Sequence, residues 1–500
     1  MERNLIHKAS ESLKEWLRYH VFTRKLTTPV GIAILGLIAI LISYITVLVD
    51  YKLSVVLVAA VGIILLCVLC IVYPLFGFYC SYVVTICMMF PERMMNSGTP
   101  IPTGLIPEYL AYLAMLGVLT KDQYRKQISP QFWNHSITIW ILVLVVYTML
   151  QGINPSMGNK LGWFNYFRKQ VSYAAFFYIS YCFLNSRKAI FNFTWFWLVI
   201  SSLNALYCCK QQWLGFSGFE ETWLMADPKR YALFVNFGFV RRFGLLSDPA
   251  AAGILYACGT VLCLVLALRA KKAKPRILFY LLAAIHFMAT SYTGTRTGTL
   301  MVVAGVVLYC VMTLYDKRTV MFCGVFAFGL TALLVAPIYN NQIINRLRST
   351  FEGSKDPSAL VRDVNRHIAQ PYVYSHPFGG GINTSGLAGS MYNPGHYLNS
   401  IPPDSGYMQV MLEQGPVGLL FTCIFYFVIL RTGIRWFYRV KDEELKTLYV
   451  AHLAAIFTLM VAQYSQLAIG QYPSVLYFYS VLAMLLKLHQ YDSSRRLITD

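Results

Sequence analysis

Charged residues are scarce in this chain of 500 residues: they make up 13% of it, whereas 57% of the residues are apolar. A soluble globular domain usually carries about 25% charged residues. The shortage of charge therefore predicts that lipid, rather than water, surrounds most of the chain. Because lipid offers no partner to an exposed backbone amide, helices of about 20 apolar residues are the expected spanning unit.

The motifs of several kinds of chemistry are also missing. No HExxH sequence, P-loop or clustered Cys/His ligand set occurs, so we expect neither a bound metal nor ATP nor another cofactor. The net charge of +20 would suit a nucleic acid, but such binding needs a hydrophilic basic domain, and none is present. The twelve cysteines fall almost entirely inside apolar runs, and we interpret them as packing residues.

What the chain has in abundance is long apolar segments, which predict an all-α, polytopic membrane helix bundle with about fourteen (twelve to fourteen) transmembrane helices. The predicted spans are residues 30–50, 53–72, 74–90, 101–120, 134–152, 171–185, 190–208, 249–268, 277–293, 297–315, 319–338, 406–430, 447–467 and 472–487.

Basic residues predict the orientation of these spans. With the N-terminus in the cytoplasm, every charged inner loop is net basic, as the positive-inside rule requires. The resulting divisions are a basic cytoplasmic segment 1–29, helices one to eleven in 30–338 with an outer loop at 209–248, a long outer loop 339–405, helices twelve to fourteen in 406–487, and a cytoplasmic tail 488–500. Within the long loop, Asp356 and Pro357 predict a helix start, and 376–406 is predicted to be a shaped loop.

Several arginines lie on the outer side, against the bias that places other basic residues inside. Arg296 stands between two apolar segments with almost no loop between them. A charge at membrane depth costs about 2.5–3.5 kcal/mol on insertion scales, so function is the default hypothesis, although an isolated arginine can simply reach the headgroups. Guanidinium groups bind phosphate oxygens bidentately, so the set predicts a lipid diphosphate ligand. The set is Arg241, Arg242, Arg296, Arg346, Arg348, Arg362 and Arg366.

A general base for this site would have to lie in the same outer region. His376, His396, Asp404 and Glu413 are the candidates there. Each of them alone has an ordinary structural interpretation, such as a turn residue or a partner for an arginine.

The order of short motifs in 235–425 resembles the O-antigen ligase and Wzy-type polysaccharide polymerase family of bacterial envelopes. The first motifs are Arg241-Arg242-Phe243-Gly244 with Asp248-Pro249, followed by Thr295-Arg296-Thr297-Gly298. The later ones are Arg362, the stretch His376-Pro-Phe-Gly-Gly-Gly381 and the segment from Asp404 to Gly415. The sequence departs from the family at Asp404-Ser405, where the family commonly has His-Asn with the histidine as proposed base.

The resemblance implies a metal-independent glycosyltransferase that moves a glycan from undecaprenyl diphosphate to a sugar hydroxyl on a lipid-anchored acceptor, either lipid A-core or a growing glycan. The catalytic residues would be Arg296 with Asp404 or His396 as the base.

By the same resemblance, the substrate would be bound by Arg241, Arg242, Arg362, His376 and Tyr407. The protein would lie in the bacterial inner membrane with its site facing the periplasm. Ligase and polymerase remain open, and a transporter or flippase of a lipid-linked glycan is the alternative from another class.

Overall fold

The computed structural model describes residues 28–48, 51–95, 103–128, 130–236, 238–335, 337, 342–351, 357–403 and 405–492. Helices dominate this part of the chain. The first are α1 (Pro29–Leu48), α2 (Tyr51–Val72), α3 (Pro74–Cys87), α4 (Phe90–Met95), α5 (Leu105–Leu119), α6 (Asp122–Arg125), α7 (Pro130–Trp133), α8 (Ser136–Leu150), α9 (Lys160–Phe183), α10 (Arg187–Trp213), α11 (Gly218–Met225) and α12 (Pro228–Phe234).

The remaining helices are α13 (Pro249–Arg269), α14 (Ala273–Tyr292), α15 (Arg296–Thr313), α16 (Lys317–Val335), α17 (Gln342–Ser349), α18 (Pro357–Ser375), α19 (Gly386–Tyr392), α20 (Gly406–Arg439), α21 (Glu443–Ala462) and α22 (Ser474–Lys487). Short 3-10 helices occupy Gln151–Ile153, Tyr397–Ser400 and Leu488–Tyr491. Strands β1 (Val235–Asn236) and β2 (Phe239–Val240) pair antiparallel, with Val235 opposite Val240.

Two compact units make up the chain. One comprises Met1–Ser81 and Pro107–Ser129, and the other comprises Tyr82–Ile106 and Pro130–Asp500. In the first unit, α1 packs against α2. The second unit contains every predicted site residue that the structure describes.

The core of the second unit is built around α13. Every residue from 251 to 263 is buried, because α13 packs against α14, α15 and α21 at once. A helix that is apolar on all sides is expected in such a central position. Gly298 and Gly305 of α15 allow close approach, since a Cβ at Gly305 would lie 2.7 Å from Val261 of α13.

The prediction of an all-α bundle with membrane-spanning helices is confirmed, but the count of about fourteen is not. Among the described residues, eight helical stretches are long and apolar enough to cross a membrane, and each overlaps a predicted span. The helices at predicted spans 101–120 and 472–487 have only 15 and 14 residues, fewer than the roughly 17–25 of a typical spanning helix. The eight are Pro74–Met94, Ser136–Ile153, Arg187–Trp213, Pro249–Arg269, Arg296–Thr313, Lys317–Val335, Gly406–Arg439 and Glu443–Ala462.

Two details of the sequence interpretation need correction. Cys310 of α15 and Cys323 of α16 form a disulfide, so this pair is not simply packing. The stretch 376–406 is not all loop, because it contains α19 and the 3-10 helix Tyr397–Ser400. The predicted helix in the long loop exists as α18 and begins at Pro357, while Asp356 lies outside the described residues.

Glycines explain how the loop after α18 packs on α20. The amides of Gly380 and Gly381 donate to the carbonyls of Leu412 and Glu413, each at 2.9 Å. Gly415 has φ +71° and ψ −179° and interrupts α20 at this point. A Cβ on Gly415 would lie 2.1 Å from the carbonyl oxygen of Pro377. The two backbones therefore touch directly, which only glycine permits.

We predict that Gly415→Ala destabilises the protein strongly. The backbone conformation alone costs about 1–3 kcal/mol for a residue with a Cβ, and the overlap with Pro377 adds to that cost. Thermal unfolding of the purified protein measures the effect. Gly324→Ala in α16 is the matched control, because a Cβ there meets nothing within 4 Å; equal melting temperatures for the two variants would contradict this account.

Candidate functional site

The turn between α14 and α15 holds the arginine that the sequence places between two apolar segments. Arg296 is the first residue of α15. Just before it, Gly294 has φ +60°, which makes the turn short. The hydroxyl of Thr295 donates to the carbonyl of Pro249 at 2.8 Å. The first turn of α13 is thereby tied to the start of α15.

Arg241, which directly follows the hairpin formed by β1 and β2, contacts the same turn. Its Nε donates to the carbonyl of Thr293 at 2.9 Å, and its Nη2 donates to the Thr295 hydroxyl at 3.1 Å. Arg346 of α17 completes the group, because its guanidinium lies 4.8 Å above the ring of Phe239 and a Cβ on Gly294 would be 2.4 Å from its Nη1. Arg241, Arg296 and Arg346 form what we name the arginine cluster.

Burial and mutual repulsion shape the electrostatics of the arginine cluster. Burial lowers the pKa of Arg241 to about 10, the charge of Arg346 lowers it further, Asp248 opposes the shift, and Arg296 lowers it again. Burial and Arg296 also lower the pKa of Arg346. With a pKa of about 10, Arg241 stays protonated near neutral pH. A bound anion would offset the unfavourable concentration of positive charge.

Arg242 is engaged elsewhere. Its Nε donates to Gln212 of α10 at 2.9 Å, and its guanidinium lies 4.5 Å from the centre of the Phe216 ring. The predicted pair Arg241 and Arg242 is thus split: Arg241 joins the cluster, whereas Arg242 fastens the hairpin segment to α10.

Polar residues of α10 fix the turn after Arg242, and the sequence interpretation missed them. Gln211 accepts from the amides of Phe243 (3.2 Å) and Gly244 (2.9 Å). Asn204 accepts from the amide of Leu245 at 2.9 Å. Their spacing could have identified them in the sequence, because two amide side chains seven residues apart in an apolar helix lie on the same face.

Arg93 is another residue that sequence reasoning missed. Its side chain is fully buried, and it donates to the carbonyls of Gly244 (3.1 Å) and Leu246. The guanidinium also lies 4.3 Å from the ring centre of Phe243. Arg93 thereby stabilises the turn that follows Arg241 and Arg242. Its sequence context, a short polar interruption at 91–93, resembles an ordinary loop.

The turn after α21, residues 463–466, connects the arginine cluster with the long loop. Ser465 shares a 2.8 Å hydrogen bond with Thr297, the neighbour of Arg296. Tyr464 accepts from Arg366 of α18 at 3.1 Å. Arg362 lies one turn earlier on α18. The long loop is therefore anchored beside the arginine cluster.

Both predicted histidines lie in one aromatic group near the end of α18. His376 stacks on Tyr372 with ring centroids 3.9 Å apart, and His396 approaches Tyr372 edge-on at 6.1 Å. The Nδ1 of His396 accepts from the amide of Leu398 at 3.1 Å. His396 also hydrogen-bonds to the backbone of Ser156, and burial, followed by the charge of His376, lowers its pKa.

Tyr407 and Asp404 belong to the closing motif. The hydroxyl of Tyr407 donates to the carbonyl of Met460 at 2.9 Å, and its amide donates to Gln463 at 3.3 Å. Tyr407 is thereby held against the end of α21. Asp404 lies outside the described residues. Glu413 is buried and accepts a 2.6 Å hydrogen bond from Ser385.

We predict that His396→Asn reduces the acid sensitivity of the fold. Because the pKa of His396 is lowered from 6.5, the unfolded chain takes up its proton first. The contribution of neutral His396 to the free energy of unfolding is therefore complete above pH 6.5 and declines as the pH falls below that value. An asparagine oxygen can still accept from Leu398. The melting temperature between about pH 7.5 and about pH 5 should therefore fall less in the variant than in the wild type.

The control for that measurement is Gln123→Asn, which replaces an exposed residue of α6 that does not titrate. Its pH profile should follow the wild type. Identical slopes for wild type and His396→Asn would show that His396 does not titrate as its surroundings indicate.

The fold and the site together define a class: a polytopic helical membrane protein with an arginine cluster beside a long extramembrane loop. Within it, residues 278–423 match the family model described as O-Antigen ligase. This segment of the chain is therefore similar to the O-antigen ligase family, and the resemblance seen in its motifs is confirmed. No curated protein matches the chain.

The family match carries a coarse function with it. It implies a glycosyltransferase-like enzyme of the O-antigen ligase or polymerase type, which acts on lipid-linked glycans in a bacterial membrane. The matched segment contains Arg296, Arg346, Arg362, His376 and His396, whereas Arg241 and Arg242 precede it. The roles of the individual residues stay predictions.

Proposed function

We propose that this protein transfers a glycan from undecaprenyl diphosphate to a sugar hydroxyl on a lipid-anchored acceptor, as an O-antigen ligase does. The observation that carries the proposal is the arginine cluster, in which three guanidinium groups converge on one short turn. A diphosphate has two adjacent anionic groups and suits several guanidinium groups at once. Basic inner loops support a periplasmic location for this site in the inner membrane.

The chemistry needs no nucleotide, because the bond to the diphosphate supplies the driving energy. The acceptor oxygen attacks the anomeric carbon, the bond between that carbon and the diphosphate oxygen breaks, and the acceptor proton passes to a base. Negative charge grows on the leaving diphosphate. Arg241, Arg296 and Arg346 would stabilise that charge in the transition state, where electrostatic preorganisation contributes most.

Of the two predicted bases, we favour Asp404 over His396, on the contacts that His396 and Gly406 make. A neutral histidine has one acceptor nitrogen, and in His396 the Nδ1 acceptor is used by the amide of Leu398. Gly406, two residues after Asp404, donates to Gln466 at 3.2 Å, in the turn that also contacts Thr297. The chain next to Asp404 thus meets the same turn as the chain next to Arg296.

Arg362, His376 and Tyr407 would act in substrate binding. Arg362 lies on the helix that Arg366 anchors beside the arginine cluster. His376 lines a separate cavity of about 410 Å³ with Asn154 and Phe378. Ser375 is nine positions after Arg366 on α18, roughly 14 Å along the helix, so we assign His376 to binding rather than to the reacting centre.

We predict that Arg296→Ala lowers glycan transfer roughly 10²–10³-fold, the loss expected when one preorganised donor is removed, and that Arg241→Ala behaves likewise. The assay uses the purified protein with a defined undecaprenyl-diphosphate glycan and lipid A-core acceptor. Melting temperature establishes that the variants are folded. Full transfer by both variants would rule out the arginine cluster as the diphosphate site.

Two glycine variants test whether transfer depends on the position of the Arg346 guanidinium as well as on its charge. Gly294→Ala should reduce transfer by up to about 10²-fold, because its Cβ would displace the guanidinium of Arg346. Gly238→Ala imposes the same unfavourable positive φ, at +77°, but its Cβ meets nothing within 4 Å. The control should keep its activity.

We predict that Asp404→Asn lowers transfer about 10²–10⁴-fold, the usual contribution of a general base, while His396→Asn retains most of it. Single-turnover rates on the same donor measure both. The reverse order would identify His396 as the base. Product analysis of the wild type then separates the activities: lipid A-core carrying the glycan indicates a ligase, a lengthened donor glycan a polymerase, and movement without a new bond a flippase.

A further inference from the structure

A polar cavity lies within the second unit, apart from the arginine cluster. Its volume is about 420 Å³, which is within the range of small-molecule sites. Residues of α8, α9, α19, α20 and α22 line it, together with Asn383 and the segment between α21 and α22. No predicted site residue is part of this lining.

Amide side chains set the chemistry of the cavity. Seven of them line it, and a protein interior normally avoids such groups unless they are bonded, since an unpaired amide costs free energy. The seven are Asn165, Gln170, Asn383, Gln409, Gln414, Gln463 and Gln471. Each can donate and accept at once. The lining therefore presents neutral groups of both hydrogen-bonding types.

The amides are only partly occupied by the protein. Asn165 donates to the Tyr392 hydroxyl at 3.2 Å, and Gln463 accepts from the amide of Ala468 at 2.8 Å. The side-chain oxygen of Gln471 is buried and has no hydrogen-bond partner among the residues that the structure describes. Because an amide has two N–H groups and two acceptor lone pairs, capacity remains for a ligand.

Tyrosines also line the cavity. Tyr166, Tyr173, Tyr392, Tyr426 and Tyr479 all contribute to it. Their rings offer apolar faces and their hydroxyls offer polar ends. A sugar has the matching pattern, since its hydroxyls lie around the ring edge and its C–H groups form flat apolar faces.

The lining of this cavity does not suit the other two parts of a lipid-linked glycan, its diphosphate and its polyprenyl chain. Lys169 is the one charged residue among the described residues of the lining, which is little for a diphosphate. A polyprenyl chain would find seven amides unfavourable, because their water contacts would be lost without replacement.

One turn links the cavity to the arginine cluster. Gln463 lines the cavity, the next residue, Tyr464, accepts from Arg366, and Ser465 bonds to Thr297 beside Arg296. A ligand with a diphosphate at the arginines and sugars in the cavity would therefore contact both sides of a single short segment.

We infer that this cavity binds a short neutral saccharide through its amides and tyrosine rings. The assignment of that saccharide to the donor or acceptor glycan rests on the proposed function. The binding of a free sugar does not, because it needs neither diphosphate nor transfer.

Saturation-transfer difference NMR on the full-length protein in detergent tests the inference, with maltotriose and diacetylchitobiose as probes. At least one probe should bind the wild type. Gln471→Leu should weaken binding roughly fivefold, as expected for one lost hydrogen bond, and Ala388→Phe, which fills the cavity from α19, should abolish it. Gln123→Leu replaces an exposed amide of α6 and should leave binding unchanged.

Binding of neither probe to the wild type, or equal binding by wild type, Gln471→Leu and Ala388→Phe, would overturn the inference. Arg296→Ala separates this result from the proposed function: it should lose transfer yet bind the probe as the wild type does. If Arg296→Ala loses transfer while neither probe binds the wild type, the enzyme assignment stands and only the saccharide site is ruled out.

Discussion

Three guanidinium groups converge at one end of an apolar bundle, and the surrounding structure is arranged to hold them there. Burial and like charge lower the pKa of Arg241, so the protein carries this arrangement at a cost in stability. The carbonyl of Thr293 and the hydroxyl of Thr295 offset part of the cost by hydrogen bonding to Arg241. Binding of an anion would reduce this repulsion between like charges.

Rigid supports on several elements keep these groups in place. Arg93 and Gln211 bind the turn at Gly244 from two directions, and Asp248 caps α13 by accepting from Ala250 and Ala251. Side chains held in this way lose little entropy when a ligand binds. The long loop is fixed differently, through the backbone contact of Gly415 with Pro377. The supports of the arginine cluster and the anchoring of the long loop would both favour catalysis, because transition-state stabilisation depends on hydrogen-bond donors that are already in position.

The same arrangement separates two kinds of recognition. Charge is concentrated at the arginine cluster, whereas the cavity lined by Gln463 and Gln471 is almost neutral. A lipid-linked glycan has the same division between its diphosphate and its sugars. Specificity for the sugar can therefore be altered at the amides without touching the arginines that would stabilise the leaving group.

The sequence by itself determined the class of fold, the approximate position of eight of the predicted spans and the family resemblance. Each follows from local information: apolar length predicts a spanning helix, and short motifs such as Asp248-Pro249 mark where helices begin. Arginines beside apolar runs, such as Arg296, were also recognisable in the sequence, because a charge next to a long apolar segment is unusual.

Only the tertiary structure decided which of those residues meet. It placed Arg241 with Arg296 and Arg346 but turned Arg242 toward Gln212, since neighbours in the chain can point to different partners. It also revealed Arg93 and the amides of the cavity. The amides come from segments far apart in the sequence, and only the packing of the fold brings them together.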